Sequence, residues 1–261
     1  MNPFRIGTTS YIIPADLLEN ARYLAGKVQD IELVLFDLED GQSNLPSPAV
    51  TAGLAELAAA HNLTFTVHLP LDLRLGEESN SGHVSLIKAR KVIAATRALH
   101  PWAYIAHLDG KEIREGGTPD QMLRWQAQAV QALERVAGWA GGPQYLALEN
   151  LEGYALDLLL PILDAIPVSR CVDIGHLWLD GHDPMPYLRA ALPRTRVIHL
   201  HGIAGRAHQS LAHVSSEQLS PIIAALLENH YRGVISLEVF GEADFSTSLD
   251  AWRRGLAVAA D

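Results

Sequence analysis

Residues 169–179 have the sequence SRCVDIGHLWL, in which an apolar segment is followed by an acidic residue and a histidine. The segment's composition is typical of a buried strand, and Asp173 and His176 follow at the point where that strand should end. Placing such groups there costs free energy unless something pairs with them. We therefore expect both to belong to a binding site, although Asp173 would also suit the N-cap of a helix.

Seven similar segments occur along the chain, with helical segments between them. The eight predicted strands are RIGTTS (5–10), IELVLF (31–36), LTFTVHL (63–69), WAYIAHL (102–108), QYLALEN (144–150), SRCVDIG (169–175), RVIHLHG (196–202) and VISLEVF (234–240). The helical patterns include PADLLENARYLAG (14–26), SPAVTAGLAELAAAHN (47–62), SLIKARKVIAATRALH (85–100), TPDQMLRWQAQAVQALERVAGWA (118–140) and SSEQLSPIIAALLENHYRG (215–233). This alternation predicts an α/β fold, a single-domain TIM (β/α)8 barrel over residues 1–261.

Composition narrows the possible partners. The 261 residues carry a formal net charge of -10, and no run of lysine or arginine occurs, which argues against a nucleic-acid partner. We expect a cytoplasmic protein with no membrane partner, because no apolar stretch is long enough to span a bilayer and no signal pattern is present. Cys171 is the only cysteine and is expected to be a buried hydrophobe. The sequence does not specify an oligomeric state.

Metal-ligating residue types cluster at the predicted strand ends, which form the active face of a TIM barrel. They are Asp37, Glu39, His68, His107, Asp109, Glu149, Asp173, His176, His199, His201 and Glu238, with Glu32 at the start of the second strand. Three other histidines, His61, His100 and His230, end predicted helices, where imidazoles can cap the last carbonyls. Because converging carboxylates repel each other, we expect a divalent cation at the strand ends, and the mixed ligand set suits zinc, manganese or iron.

Six motifs at these positions resemble the xylose-isomerase-like TIM barrels, which include endonuclease IV and the sugar epimerases. The motifs are HLP at His68, HLDG at His107, LEN at Glu149, DIGH from Asp173, HLHG from His199 and LEVF around Glu238. More narrowly, RIGTTSYIIPADLLENARYLA, IELVLFD, TVHLPLDLRLG and AHLDG are similar to the cobamide-remodelling phosphodiesterase family.

The resemblance implies a set of metal ligands. Glu149 would bridge two ions, one also held by His68 and His107, the other by Asp173, His199 and Glu238. A third ion would use His176 and His208 together with an aspartate two positions before His208. This chain has Arg206 there, so one to three ions remain open. Arg206 would suit a substrate phosphate, and His213 is an alternative ligand.

The implied activity is metal-dependent hydrolysis of the phosphodiester in the nucleotide loop of a cobamide, giving cobinamide phosphate and a ribazole-type nucleoside. The catalytic residues would be Glu149, Glu238 and His176. Loop positions suggest substrate contacts at Tyr11, Asp72, Asp109, His201 and Arg206.

Three alternatives stay open. The first is a sugar isomerase or epimerase with one ion held by Glu149, Asp173, His199 and Glu238. The second is a corrinoid-binding barrel without activity, and the third is a DNA-repair enzyme related to endonuclease IV. His68 and His107 favour the hydrolase, because a single-ion isomerase has less need of a second cluster.

Overall fold

The computed structural model describes residues 3–38, 40–77 and 83–259. In these ranges eight parallel strands pair in chain order, and the last also pairs with the first, so the sheet closes into a barrel. The strands are β1 (Arg5–Thr9), β2 (Asp30–Val34), β3 (Thr64–His68), β4 (Tyr104–Ala106), β5 (Leu146–Glu149), β6 (Ser169–Asp173), β7 (Thr195–Leu200) and β8 (Val234–Leu237). The predicted TIM barrel is confirmed, and every strand overlaps its predicted segment.

Helices alternate with the strands around the barrel. They are α1 (Leu17–Leu24), α2 (Pro48–His61), α3 (Val84–Thr96), α4 (Lys111–Gly116), α5 (Pro119–Ala140), α6 (Leu160–Ala165), α7 (Ile174–Leu179), α8 (Pro184–Ala191), α9 (Ser216–Glu228) and α10 (Glu242–Ala259). No helix in the described ranges combines the length and apolar composition that crossing a bilayer requires. The predicted strand-end residue Glu39 lies outside the described residues.

Polar N-cap residues determine where several helices begin. Thr118 and Ser215 begin α5 and α9 with capping boxes, in which the cap side chain and a glutamine three residues later each accept a backbone N–H. The predicted start of α1 at Pro14 is wrong, because Asp16 accepts the Glu19 N–H and α1 begins at Leu17.

The expected capping by helix-end imidazoles takes a different form at two positions. His100 and His230 have left-handed backbones, and their N–H groups donate to carbonyls of the preceding turn, Arg97 O and Leu227 O. Here the backbone makes the capping hydrogen bond. His61 is the last residue of α2.

The inside of the barrel holds a small apolar cluster on the strands that carry the site. Its buried members are Ala103, Ile105, Ala147, Cys171 and Val197. Cys171 is 1% exposed, as expected of a buried hydrophobe. Burial raises the pKa of its thiol well above the ordinary value, so the thiol stays protonated.

Candidate metal centre

The polar residues at the strand ends continue the inward-facing side of the barrel. Side chains two apart on a strand point to the same face. Glu149 follows Ala147 by two residues, and Asp173 follows Cys171 in the same way, so each carboxylate lies one step above the apolar interior. His199 is related to Val197 in the same manner. The alternation of the strands therefore directs these groups to one point at the C-terminal end of the barrel.

Part of this set borders a cavity of about 780 Å³. Six of the predicted ligands line it, namely His68, His107, Glu149, His176, His208 and Glu238. The volume lies in the upper part of the range for small-molecule sites, about 300–1,000 Å³.

The first group consists of Glu149, Asp173, His199 and Glu238, each able to offer one ligand atom. Glu149 and Glu238 line the cavity, and Asp173 and His199 are fully buried. His199 Nδ1 lies 3.1 Å from Glu238 Oε2, 3.4 Å from Glu149 Oε1 and 3.7 Å from Asp173 Oδ2. His199 Nδ1, Asp173 Oδ2 and Glu238 Oε2 are nevertheless buried without a hydrogen-bond partner. Such orphaned polar atoms are costly unless a ligand satisfies them, so this donor set fits a divalent cation.

The second group consists of His68, His107 and Glu149. Glu149 Oε2 lies 3.2 Å from Nε2 of both histidines. His68 Nδ1 lies 2.7 Å from the Leu69 carbonyl oxygen and donates to it, so Nε2 is the nitrogen that would bind a metal once the ion displaces its proton.

Glu149 belongs to both groups, facing one with Oε1 and the other with Oε2. Burial alone would raise its pKa, but the charges of His199 and His107 hold the pKa well below its ordinary value. The reverse applies to His68: burial lowers its pKa, while the hydrogen bond and the charge of Glu149 raise the pKa to about 9. Glu149 therefore stays ionised, the form that binds metal ions.

Glu32 is the site residue whose role the sequence did not indicate. It is fully buried on β2, and its Oε2 lies 2.9 Å from His199 Nε2, which donates to it. This contact fixes the tautomer that leaves Nδ1 of His199 facing the first group, as carboxylates do behind metal-bound histidines. The sequence shows Glu32 as a metal-ligating residue type inside the apolar run IELVLF, but it does not indicate the pairing with His199.

Asp173 serves as both an N-cap and a site residue. Its Oδ1 accepts the His176 N–H at 2.7 Å and begins α7, while Oδ2 faces the first group. The predicted strand thus ends at Asp173, and His176 lies on a helix and not on a turn. The two interpretations of Asp173 are compatible because each uses a different carboxylate oxygen.

Three histidines form a third group: His176, His201 and His208. His176 Nδ1 donates to the Asn150 carbonyl at 3.0 Å, which leaves Nε2 free. The expected substrate contact His201 is fully buried in this group, where its Nδ1 accepts the His208 N–H at 3.0 Å. Gly175 makes room for it, since an added Cβ would lie 2.1 Å from the His201 ring.

Two other residues bear on the third group. Arg206 is exposed and lines the cavity, as expected of a residue that meets substrate. His213, the alternative ligand, is exposed on a short turn and is not a member of the described histidine group.

The other expected substrate contacts are engaged with protein groups. Asp109 lines the cavity, but its carboxylate binds Arg74 and the Tyr154 hydroxyl and accepts the Lys111 N–H. Burial would raise its pKa, yet these hydrogen bonds lower it. Asp109 therefore organises the loop after β4.

Two further expected contacts lie away from the cavity lining. Asp72 pairs with Lys88. The Tyr11 hydroxyl accepts a hydrogen bond from Asn44 Nδ2 at 2.8 Å, and its ring lies 6.5 Å from the Phe240 ring. Phe240 is 45% exposed and lines the cavity, as does Leu71, which is 59% exposed. The rim of the cavity is therefore partly apolar.

Comparisons with known proteins bear on the family and the fold. The family model described as "Xylose isomerase-like TIM barrel" matches residues 27–261. A D-tagatose 3-epimerase-like protein has a similar structure, with 19% sequence identity, a TM-score of 0.74 and 98% of both chains covered. Endonuclease IV from Thermus thermophilus is 20% identical, with a TM-score of 0.68, covering 98% of this chain and 100% of the other. No curated protein matches the sequence. At these identities the structural likeness establishes the fold alone.

Proposed function

Because the chain belongs to the xylose isomerase-like TIM barrels, we propose that it is a metal-dependent phosphodiesterase acting on the nucleotide loop of cobamides. The products would be cobinamide phosphate and a ribazole-type nucleoside, as in corrinoid salvage. One observation carries the proposal. Glu149 is shared between two groups of potential ligands, an arrangement that suits two ions on either side of a phosphoryl group.

The residues divide between the two ions as their positions suggest. His68, His107 and Glu149 would hold one ion, and Glu149, Asp173, His199 and Glu238 the other. Zinc, manganese and iron all accept such mixed ligand sets. Bound cations would supply Lewis acidity toward the phosphate oxygens and lower the pKa of water. The group of His176, His201 and His208 is the candidate for a third ion.

The protein's own groups would orient the substrate and move protons. Where no third ion is bound, His176 lines the cavity with Nε2 uncommitted. Although burial lowers its pKa, Asp173 and Glu149 raise it and favour the protonated imidazole, which can protonate the leaving oxygen. Glu149 and Glu238 stay ionised because facing histidines lower their pKa against the effect of burial. The Arg206 guanidinium at the rim can bind phosphate oxygens in a bidentate manner.

The shape of the cavity favours a ligand larger than one sugar. Its volume is about 780 Å³, and the exposed side chains of Leu71 and Phe240 at the rim offer apolar surface to a macrocyclic ring. A nucleic-acid substrate is less compatible with the net charge of -10, although endonuclease IV shares the fold.

The test is an anaerobic assay in which chelated protein is reloaded with zinc, manganese or iron and incubated with a cobamide. Mass spectrometry should detect cobinamide phosphate, in a metal-dependent way, from the unmodified protein. His107→Ala and Glu149→Ala should abolish its release. His61→Ala is the matched control, since it removes an imidazole at the far end of α2. If the cobamide stays intact with each of the three metals, the proposal is wrong.

A sugar epimerase is the second candidate, and the four-residue group favours it. Glu149, Asp173, His199 and Glu238 alone can hold one ion, and two of the carboxylates could exchange protons with carbons beside a carbonyl. His107 separates the two functions. Its removal should abolish a two-ion hydrolase and leave a one-ion epimerase active on ketoses.

A further inference from the structure

The opposite end of the barrel holds a second large cavity, which the proposed function does not use. It has a volume of about 590 Å³ and lies where β6, β7 and β8 begin. Four arginines line it, Arg189, Arg194, Arg196 and Arg232, and no carboxylate is present among the described lining residues. One fifth of the 20 basic residues of an acidic chain therefore surround one space.

Two of the arginines also have structural roles. Arg194 donates to the carbonyls of Leu163, Ile166 and Val168 at the end of α6. The Arg196 guanidinium donates through Nε to the Trp102 carbonyl and lies 4.3 Å above that residue's ring. Burial lowers the pKa of both arginines. These contacts hold the guanidinium groups in place through carbonyl oxygens and an aromatic ring, and the charge of Asp164 also acts on Arg194.

The other two arginines remain available. Arg189 and Arg232 are exposed, and the described part of the structure gives neither side chain a hydrogen bond or ion pair. Thr195, which also lines the cavity, has a buried hydroxyl without a hydrogen-bond partner. Both kinds of group donate hydrogen bonds, so the cavity is suited to an acceptor-rich ligand.

The helix ends nearby neutralise only part of the positive charge. The C-terminal ends of α8 and α9 lie at this cavity, and each contributes roughly half a negative charge. Asp164 adds about one more beside Arg194, so four guanidinium groups leave roughly two positive charges. A phosphate group, with two charges and three acceptor oxygens, comes close to balancing this excess.

We propose that the cavity lined by Arg189, Arg194, Arg196 and Arg232 is a binding site for a phosphate group, separate from the metal centre. The guanidinium groups of Arg189 and Arg232 would each donate paired hydrogen bonds to the phosphate oxygens, and the Thr195 hydroxyl would donate one more. The ligand is either free inorganic phosphate or pyrophosphate, or the phosphate of a small ester. The proposal does not depend on the reaction at the metal centre.

The test is calorimetric titration of the chelated full chain with pyrophosphate, inorganic phosphate and ribose 5-phosphate. We expect one site per chain, with affinity at least tenfold weaker in Arg232→Ala and in Arg189→Ala. Both side chains are exposed, so these variants should fold normally. Arg253→Ala, on the surface of α10, is the matched control and should bind as the unmodified protein does.

A second variant excludes the metal centre. Chelated His107→Ala should bind phosphate normally, and loss of binding in it would overturn the proposal by assigning the anion to the metal centre. Absence of saturable binding, or equal weakening in Arg253→Ala, would overturn it as well. Tighter binding of ribose 5-phosphate than of inorganic phosphate would support the proposal with an ester as ligand, and the reverse order would support it with free phosphate.

Discussion

Carboxylates and imidazoles converge at the C-terminal end of the barrel, whereas arginines surround the cavity at the N-terminal end. Both ends contain polar groups that the protein itself leaves unsatisfied. At the first, His199 Nδ1, Asp173 Oδ2 and Glu238 Oε2 have no hydrogen-bond partner. At the second, the lining arginines face no carboxylate among the described lining residues. The same fold thus presents one end suited to cations and the other suited to an anion.

The difference shows that a buried carboxylate keeps a low pKa only where its cationic neighbours outweigh burial, which the charge of Arg5 does not do at Asp30. Glu149 and Asp30 are both buried, yet their pKa values move in opposite directions. Histidines surround Glu149 and lower its pKa, whereas burial raises the pKa of Asp30, at the start of β2, to about 7. Four substitutions test this comparison.

Glu149→Gln should have the largest effect, because it alters the one residue shared by both ligand groups. The substitution keeps the shape and removes the charge that two ions would share. We expect kcat/KM for cobamide cleavage to fall about 10³-fold or more, equivalent to about 4 kcal/mol of transition-state stabilisation. Elemental analysis should also detect less metal. Unchanged metal content and activity would remove Glu149 from the centre.

Asp30→Asn tests the N-terminal end of the barrel. Because the folded pKa is raised from 3.8 to about 7, the folded state holds a proton that the unfolded state loses. This contribution to stability is complete below pH 3.8, declines as the pH rises, and is lost above about pH 7, a change of about 4 kcal/mol.

The Asn variant, which cannot ionise, should therefore lack this decline. Urea unfolding of chelated unmodified and variant protein between pH 4 and pH 8 measures the difference, and other titrating groups cancel between the two proteins. A stability difference that does not change with pH would contradict the raised pKa of Asp30.

The barrel and most of the centre follow from the sequence, because a strand's alternation fixes which residues face inward. Ala147 and Glu149, or Cys171 and Asp173, could be assigned to one face from their spacing alone. Glu32 could not be interpreted in this way, since its role depends on His199, which lies 167 residues away and meets it across the barrel. The surroundings of His201 could not be predicted either, because its partner His208 lies on a loop whose path no periodic pattern reveals.

Glu32→Gln should have an intermediate effect, and it tests whether Glu32 orients His199 at the C-terminal end of the barrel. The amide can present its NH₂ group to His199 Nε2, which favours the tautomer with the proton on Nδ1, where an ion would bind. Metal affinity should fall about 10- to 100-fold. Competition with a chelator measures it, and Asp37→Asn, which affects a carboxylate paired with Lys91, is the control. Equal affinities in both variants would count against an orienting role.

Arg206→Ala should have the smallest effect, and it compares an arginine beside the potential metal ligands with the arginines at the opposite end of the barrel. Arg206 is exposed, so solvent screens its interaction with a substrate phosphate. We expect KM for a cobamide to rise about tenfold, which corresponds to the loss of roughly one charge-assisted hydrogen bond. The value of kcat should change little, because the potential metal ligands stay intact. Steady-state kinetics separate the two constants. A fall in kcat at unchanged KM would instead mean that Arg206 acts only in the transition state. The guanidinium would then belong to the reacting centre and not to substrate capture at its rim.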